Sequence, residues 1–237
     1  MILTTQAIVF RAINYSETSI IAKVFTEELG LRSYMIKGVR TSKNKNKQNL
    51  LQPLSLIEME VYENPKKEIQ QVKSIKPSHA LSSIPFDFVK MSVIFFLNEV
   101  LQKSVRETDQ NKMLFNFMYS SILELDSNAE CPSQFHLDFM LKLSHFLGIE
   151  PLNNYSRHSL YFDLREGSFQ SELKDPFFTL DEDASRLIHQ ILKGEKLFEL
   201  NRSQRNYIQD VLLKYFEIHL EGFRDIHSHL ILRDVLR

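Results

Sequence analysis

Residues 54–62 read LSLIEMEVY. Ile57, Met59 and Val61 alternate with Glu58 and Glu60, so an extended chain carries three apolar side chains on one face and two carboxylates on the other. A helix would scatter the same residues around its circumference, so the pattern reads as a half-buried strand. Four more β-rich runs surround it: TQAIVFRAI at 5–13, SIIAKVF at 19–25, LRSYMIKG at 31–38 and IQQVKSI at 69–75. The second and third are joined by TEELG, where Gly30 can take the positive φ that closes a tight connection. Five strands within about 75 residues suit a small closed barrel, of which the OB-fold is the nucleic-acid-binding version.

Beyond KPSHALSSIP at 76–85 the period changes to that of a helix. Pro85 is placed like a first-turn proline, and Val89, Val93, Phe96, Leu97 and Val100 follow at spacings of three and four. This helix is apolar almost all round and is expected to be central. Further helices are predicted over 112–125, 134–147 with Gly148 as a stop, 181–193 behind a capping box from Thr179 to Glu182, and 204–220. SLYFDLREGSFQ at 159–170 reads as a β-hairpin. The expected fold is therefore mixed: an all-β OB-fold barrel over 1–79, then a helical domain over 80–237 with a small hairpin insertion.

Composition places the 237-residue chain, 43% hydrophobic and 25% charged, among ordinary globular proteins of one or two domains. Its longest apolar run, VIFFL at 93–97, is far short of the roughly 20 residues of a membrane span. The start lacks a basic n-region, so a cytoplasmic location is expected. One cysteine, Cys131, excludes an internal disulfide and any cysteine-rich zinc site. The net charge of −1 hides a split. Residues 1–79 hold twelve Lys or Arg against seven Glu, a balance of +5; residues 80–237 hold 17 basic against 23 acidic, a balance of −6. A basic module joined to an acidic one suggests two different partners, the first a polyanion.

Catalytic chemistry finds little support. The six glycines stand at 30, 38, 148, 167, 194 and 222, never closer than eight apart, which excludes a G-x-G-x-x-G or P-loop phosphate cradle and a G-x-S-x-G elbow. There is no H-E-x-x-H helix. His219, His227 and His229 lie near Asp225, but His227 and His229 fall on different faces of a helix and no cysteine completes a set, so hydrogen-bonded or solvated histidines are the preferred reading. No metal and no cofactor are expected. Asp181 with Asp183, and Glu27 with Glu28, read as helix-start and turn charges.

The basic stretch KGVRTSKNKNKQN at 37–49 is different: Lys37, Arg40, Lys43, Lys45 and Lys47 occur with no acidic residue. It falls between the third and fourth strands, where a flexible loop of cations can follow a phosphate backbone, although a merely solvated loop has the same composition. Lys23 alternates into register with Ile21 and Phe25, so a solvent-facing Lys23 predicts an exposed Phe25 on which a base could stack. Glu58 and Glu60 should turn nucleic acid away from the fourth strand. The expected track crosses strands one to three and the basic loop. A scaffold binding peptides or RNA is the rival reading, and a metal hydrolase ranks third.

AIVFRAINYSETSIIAKVFTEELGLRSYMIKGVRTSKNK at 7–45, followed by LLQPLSLIEMEVY, closely resembles the N-terminal domain of the bacterial recombination mediators of the RecO family. The likeness continues in FHLDFMLKLSHFLGIEPLNN, YFDLREGSF and YFEIHLEGFRDIHSHLILRDVL, and so spans nearly the whole chain. Its most specific parts are Tyr15-Ser16-Glu17, the turn from Phe25-Thr26 to Gly30, Lys37-Gly38 with Arg40, and Gln52-Pro53. None is a catalytic motif. The resemblance implies a nucleoid-associated protein that binds single- and double-stranded DNA, anneals complementary strands, and works with RecR to load RecA onto strands covered by single-strand-binding protein. Lys37 and Arg40 fall where the family carries DNA-contacting cations. Capture of the acidic C-terminal tail of single-strand-binding protein is also implied, with Lys103 and Arg106, or Arg202 and Arg205, as candidate basic spots; the second pair is slightly favoured because it starts a helix. The chain departs from the family where many members carry paired CxxC motifs for zinc. Here NNYSRHSLYFDLREGSFQ, at 153–170, places Tyr155 and His158 near one expected cysteine pair, a degenerate zinc-ribbon-like insertion near 150–180. Leu160, Phe162, Leu164 and Phe169 are then available to hold the hairpin by packing.

Overall fold

The computed structural model describes residues 1–39, 45–64, 66–194 and 200–236, the side chains of residues 45 and 46 excepted. All five N-terminal strands are present: β1 (Ile2–Asn14), β2 (Ile20–Thr26), β3 (Gly30–Ile36), β4 (Leu56–Tyr62) and β5 (Ile69–Pro77). They close a barrel in the order β1-β2-β3-β5-β4, antiparallel except where β3 runs parallel to β5. As the alternation requires, Ile57, Met59 and Val61 lie in the barrel core with Ala7, Val9, Ala22, Val24, Tyr34 and Ile36. A short helix, α1 (Lys45–Asn49), occupies part of the stretch expected to be loop.

The barrel needs a bulge to close. Val9 pairs with Val24 but Arg11 pairs with Lys23, so Phe10 is the extra residue. Before it Ala7 and Val9 face the core, and after it Ala12 does. The parity of β1 therefore flips, as a bulge does by re-aiming the residues that follow it, and Phe10 and Arg11 both point outward. The segment after Pro53 supports the bulge: the Leu54 N–H donates to the Val9 carbonyl at 2.7 Å and the Val9 N–H to the Ser55 carbonyl at 3.1 Å. Leu54 takes φ +55° to do so. Gly30 closes the β2–β3 turn at φ +67°, and a Cβ there would stand 2.2 Å from the Asp109 carbonyl oxygen, so no other residue fits without displacing backbone.

The remaining helices are α2 (Phe88–Ser104), α3 (Lys112–Ser127), α4 (Phe135–Phe146), α5 (Glu182–Leu192), α6 (Arg202–His219) and α7 (Ser228–Val235), with the hairpin β6 (Tyr161–Asp163) and β7 (Ser168–Gln170). Three starts differ from the expected ones. Pro85 sits in a separate 3₁₀ turn, Ile84–Phe86, and the Asp87 carboxylate caps α2 by accepting from the Val89 and Lys90 N–H groups. Thr179 is taken up elsewhere, donating to Asp163 Oδ2 at 2.8 Å, so Asp181 caps α5 instead. α6 begins at Arg202 behind a capping box of Asn201 and Gln204.

Contacts divide the chain into two compact units, Met1–Cys131 and Pro132–Arg237. The change of period at residues 79–80 thus falls inside the first unit. Here Asp126, near the end of α3, accepts from the backbone N–H groups of Ser82, Ser83 and Ile84 at 2.8, 2.9 and 2.8 Å. Burial pushes this carboxyl up, but those donors outweigh burial and hold it below its usual range. The buried Lys90 ammonium donates to Ser83 Oγ and to the carbonyls of Asp126 and Asn128. The connection from barrel to helix is fixed by this network rather than left as a linker.

In the second unit the hairpin is held without cysteines. Phe162, Leu164 and Phe169 are buried, and Phe162 meets Phe169 edge-on at 5.0 Å. Asn154 pairs with one edge of β7, its Nδ2 donating to the Phe169 carbonyl and its Oδ1 accepting the Phe169 N–H. Tyr155 stacks on His189 at 4.3 Å. On α4, His136 is enclosed; burial, and then the nearby Arg205 and Arg233, push its pKa down to about 3. The unfolded chain takes up a proton near pH 6.5 that the native state refuses until about pH 3. Native stability is therefore full above about pH 6.5 and is lost as the pH falls through that window, by up to about 1.4 kcal/mol per pH unit from this group. Denaturant titrations of the wild type and His136→Gln should diverge in slope below about pH 6.5. Parallel curves would show that His136 titrates normally.

Candidate nucleic-acid interface

The barrel has two electrostatic sides. On β4 and β5 the outward charges neutralise one another: Lys76 meets Glu58 at 2.8 Å and Lys73 meets Glu60 at 3.4 Å. The hydrogen bond to Glu58 raises Lys76, and Glu60 is lowered by the Ser74 hydroxyl and then by Lys73. The side built from β1, β2 and β3 has no such balance. Arg11 and Lys23 are paired across β1 and β2, with Ser33 beside Lys23 on β3. Ladder partners lie about 4.5–5.5 Å apart, so the two cations form one patch. Lys37 follows β3 directly and Lys47 lies on α1; all four are exposed and make no ion pair among the described residues. No Asp or Glu occurs from Leu29 to Ile57.

The basic segment leaves and re-enters the barrel at fixed points. Val39, just before Arg40, and Leu51, after Leu50, are buried in the barrel core. Because Ile20 pairs with both Asn14 and Ile36, the β1–β2 turn and the start of this segment share one end of the barrel. Arg40 and Lys43 lie outside the described residues, as does the side chain of Lys45, whose backbone begins α1.

Phe25 is placed otherwise than the alternation suggested. It does share the outward face with Lys23, but its exposure is 0% because that end of the face is covered. Its ring stacks on Phe10 at 6.1 Å and on Phe115 of α3 at 6.5 Å. A base cannot reach it. Two residues missed in the sequence stand in the open instead: Arg11, turned outward by the bulge, and Tyr15, 61% exposed in the β1–β2 turn. No periodicity marks a bulge, although a cation two places after an inward Val9 is the one available signal.

The candidate partner-peptide residues separate. Lys103 is half-buried at the end of α2 and Arg106 is exposed, neither in an ion pair among the described residues. Arg202 instead donates to the Arg233 carbonyl at 3.0 Å, and Arg205, 8% exposed, donates to the Leu200 carbonyl at 2.8 Å. Arg205 is thus committed to the interior and the favoured pair is not an open basic spot. Of the C-terminal histidines, His219 Nε2 donates to the Leu164 carbonyl at 2.8 Å, and His227 precedes α7. Among the described residues no group of three His, Cys, Asp or Glu is arranged to hold a metal, and no helix is long and apolar enough to cross a membrane.

Residues 1–81 match the family model described as Recombination protein O N terminal, and residues 85–227 the one described as Recombination protein O C terminal. The chain is 34% identical over 239 residues to DNA repair protein RecO of Azobacteroides pseudotrichonymphae, with 99% of each chain covered. It is 33% identical over 242 residues to the RecO of Bacteroides fragilis and 29% identical over 243 residues to that of Flavobacterium psychrophilum, again over 99% of each chain. A closed five-stranded barrel, a helical region and matches to both domains over nearly its whole length show that the chain belongs to the RecO family.

Proposed function

We propose that this member of a DNA repair and recombination family is a binding protein rather than an enzyme, and that its barrel grips DNA by the phosphates and anneals complementary strands. The observation that carries this is Arg11 and Lys23 on the outward face of β1–β3, strands that hold no Asp or Glu, followed by Lys37 and Lys47 in the next segment, all four exposed and without ion pairs among the described residues. Annealing brings two polyanions together. Cations spread over a sheet and the segment that follows it lower that repulsion and leave base edges free to pair. The activity extends to loading RecA with RecR onto strands covered by single-strand-binding protein. The deciding measurement is a salt titration of single- and double-stranded DNA affinity: a steep linear fall of log K with log salt is expected, and a flat line would leave the barrel as a peptide-binding scaffold.

Lys103 and Arg106 are the proposed contacts for the acidic tail of single-strand-binding protein. The exposed rings of Phe88 and Phe95 lie on the same helix and suit the apolar part of such a tail. Lys103→Ala with Arg106→Ala should weaken binding of a labelled tail peptide by about 1–3 kcal/mol while leaving DNA affinity intact. Arg202→Ala should leave peptide binding unchanged. Equal peptide affinity in the wild type and the double variant would move the site elsewhere.

A further inference from the structure

Beside the cations, the outward side of β1–β3 carries an apolar row. Ile13 pairs with Ile21, and Ile21 with Met35, so the three side chains lie next to one another across three strands. Ile13 is 45% exposed and the other two are half-buried. Tyr15 stands two residues beyond Ile13. The row runs parallel to the pairing of Arg11, Lys23 and Ser33, displaced from it by two residues, or about 7 Å of strand. Single exposed apolar residues are ordinary on any surface; a contiguous row bordered by cations that make no ion pair among the described residues is not.

We infer that this row is a seat for the unpaired bases of single-stranded DNA, with Tyr15 as its stacking aromatic and Arg11 and Lys23 on the adjoining phosphates. The inference rests on the proposal that the barrel binds DNA and adds to it a distinction between single strands and duplex. Cations alone recognise phosphates in both forms. A flat apolar row gains contact only from bases whose faces are free, which a duplex keeps stacked inside. Across three strands the row measures about 10 Å, room for about three bases at a stacked rise of about 3.4 Å. Charge complementarity selects the occupant: from Met1 to Thr26 the only acidic residue is Glu17, so a polyanion is drawn to this side.

The test compares three probes by fluorescence anisotropy at one salt concentration: an oligothymidylate of about fifteen nucleotides, an abasic phosphodiester of equal length, and a duplex. The wild type should hold the oligothymidylate at least about tenfold more tightly than the abasic strand. Tyr15→Ala and Ile21→Ala should each erase most of that ratio while leaving abasic and duplex affinity unchanged, which also certifies that the variants are folded. Tyr15→Phe should preserve it. A wild-type ratio near one, or a ratio unmoved in both alanine variants, would overturn the base seat while leaving phosphate binding in place. Loss of binding to all three probes in the wild type would overturn the DNA-binding proposal itself, and the seat with it.

Discussion

Phe25→Ala unfolds the first unit more easily, by about 3–5 kcal/mol, and leaves the DNA affinity of the folded protein where it was. The side chain lies between the rings of Phe10, at an interplanar angle of 9°, and Phe115, at 19°. Truncation removes both ring contacts and opens a cavity between strand and helix that rigid neighbours can only partly close. Phe25→Leu, which keeps most of the volume, should cost clearly less. The checks are urea unfolding of each variant and a salt titration of DNA binding below the unfolding transition. A Phe25→Ala protein of wild-type stability with weakened single-strand binding would mean that the helix leaves the ring and that bases reach it.

The second large effect belongs to the basic segment. If Lys43, Lys45 and Lys47 each neutralise one phosphate, replacing all three by Ala lowers the salt slope for single-stranded DNA by about two, at about 0.7 for each contact. Between about 50 and 200 mM salt the wild type should then lose roughly an order of magnitude more affinity than the variant. At Lys47, which is exposed, the substitution should change stability by less than about 0.5 kcal/mol. The anchors Val39 and Leu51 are untouched, so the segment still leaves and re-enters the barrel at the same points. An unaltered slope would show that these lysines are only solvated, and would leave Arg11, Lys23 and Lys37 as the phosphate contacts.

Local pattern determined a great deal about this protein. Strict alternation in 57–61 marked a strand, Gly30 marked a tight turn of positive φ, and the run of cations without an acid marked the charged segment. These features depend on residues within a few places of one another, where the side-chain period and backbone limits act directly. The acid-free character of 29–57 is likewise a property of the chain itself. So is the likeness to the RecO family, which the matches over residues 1–81 and 85–227 bear out.

Tertiary structure decided which outward positions meet water. Alternation put Lys23 and Phe25 on one face correctly, but α3, some ninety residues later in the chain, covers Phe25 and leaves Lys23 bare. Thr179 looked like a cap until the Asp163 carboxylate took its hydroxyl, and Arg205 looked like a surface cation until its guanidinium turned to the Leu200 carbonyl. Arg11 faces outward beside Lys23 only because the bulge at Phe10 flips the parity of β1. Period-two reading assigns a side of the sheet, and the sequence holds that information locally; whether that side is wet depends on apolar area contributed by distant segments, which pack wherever the most surface leaves water.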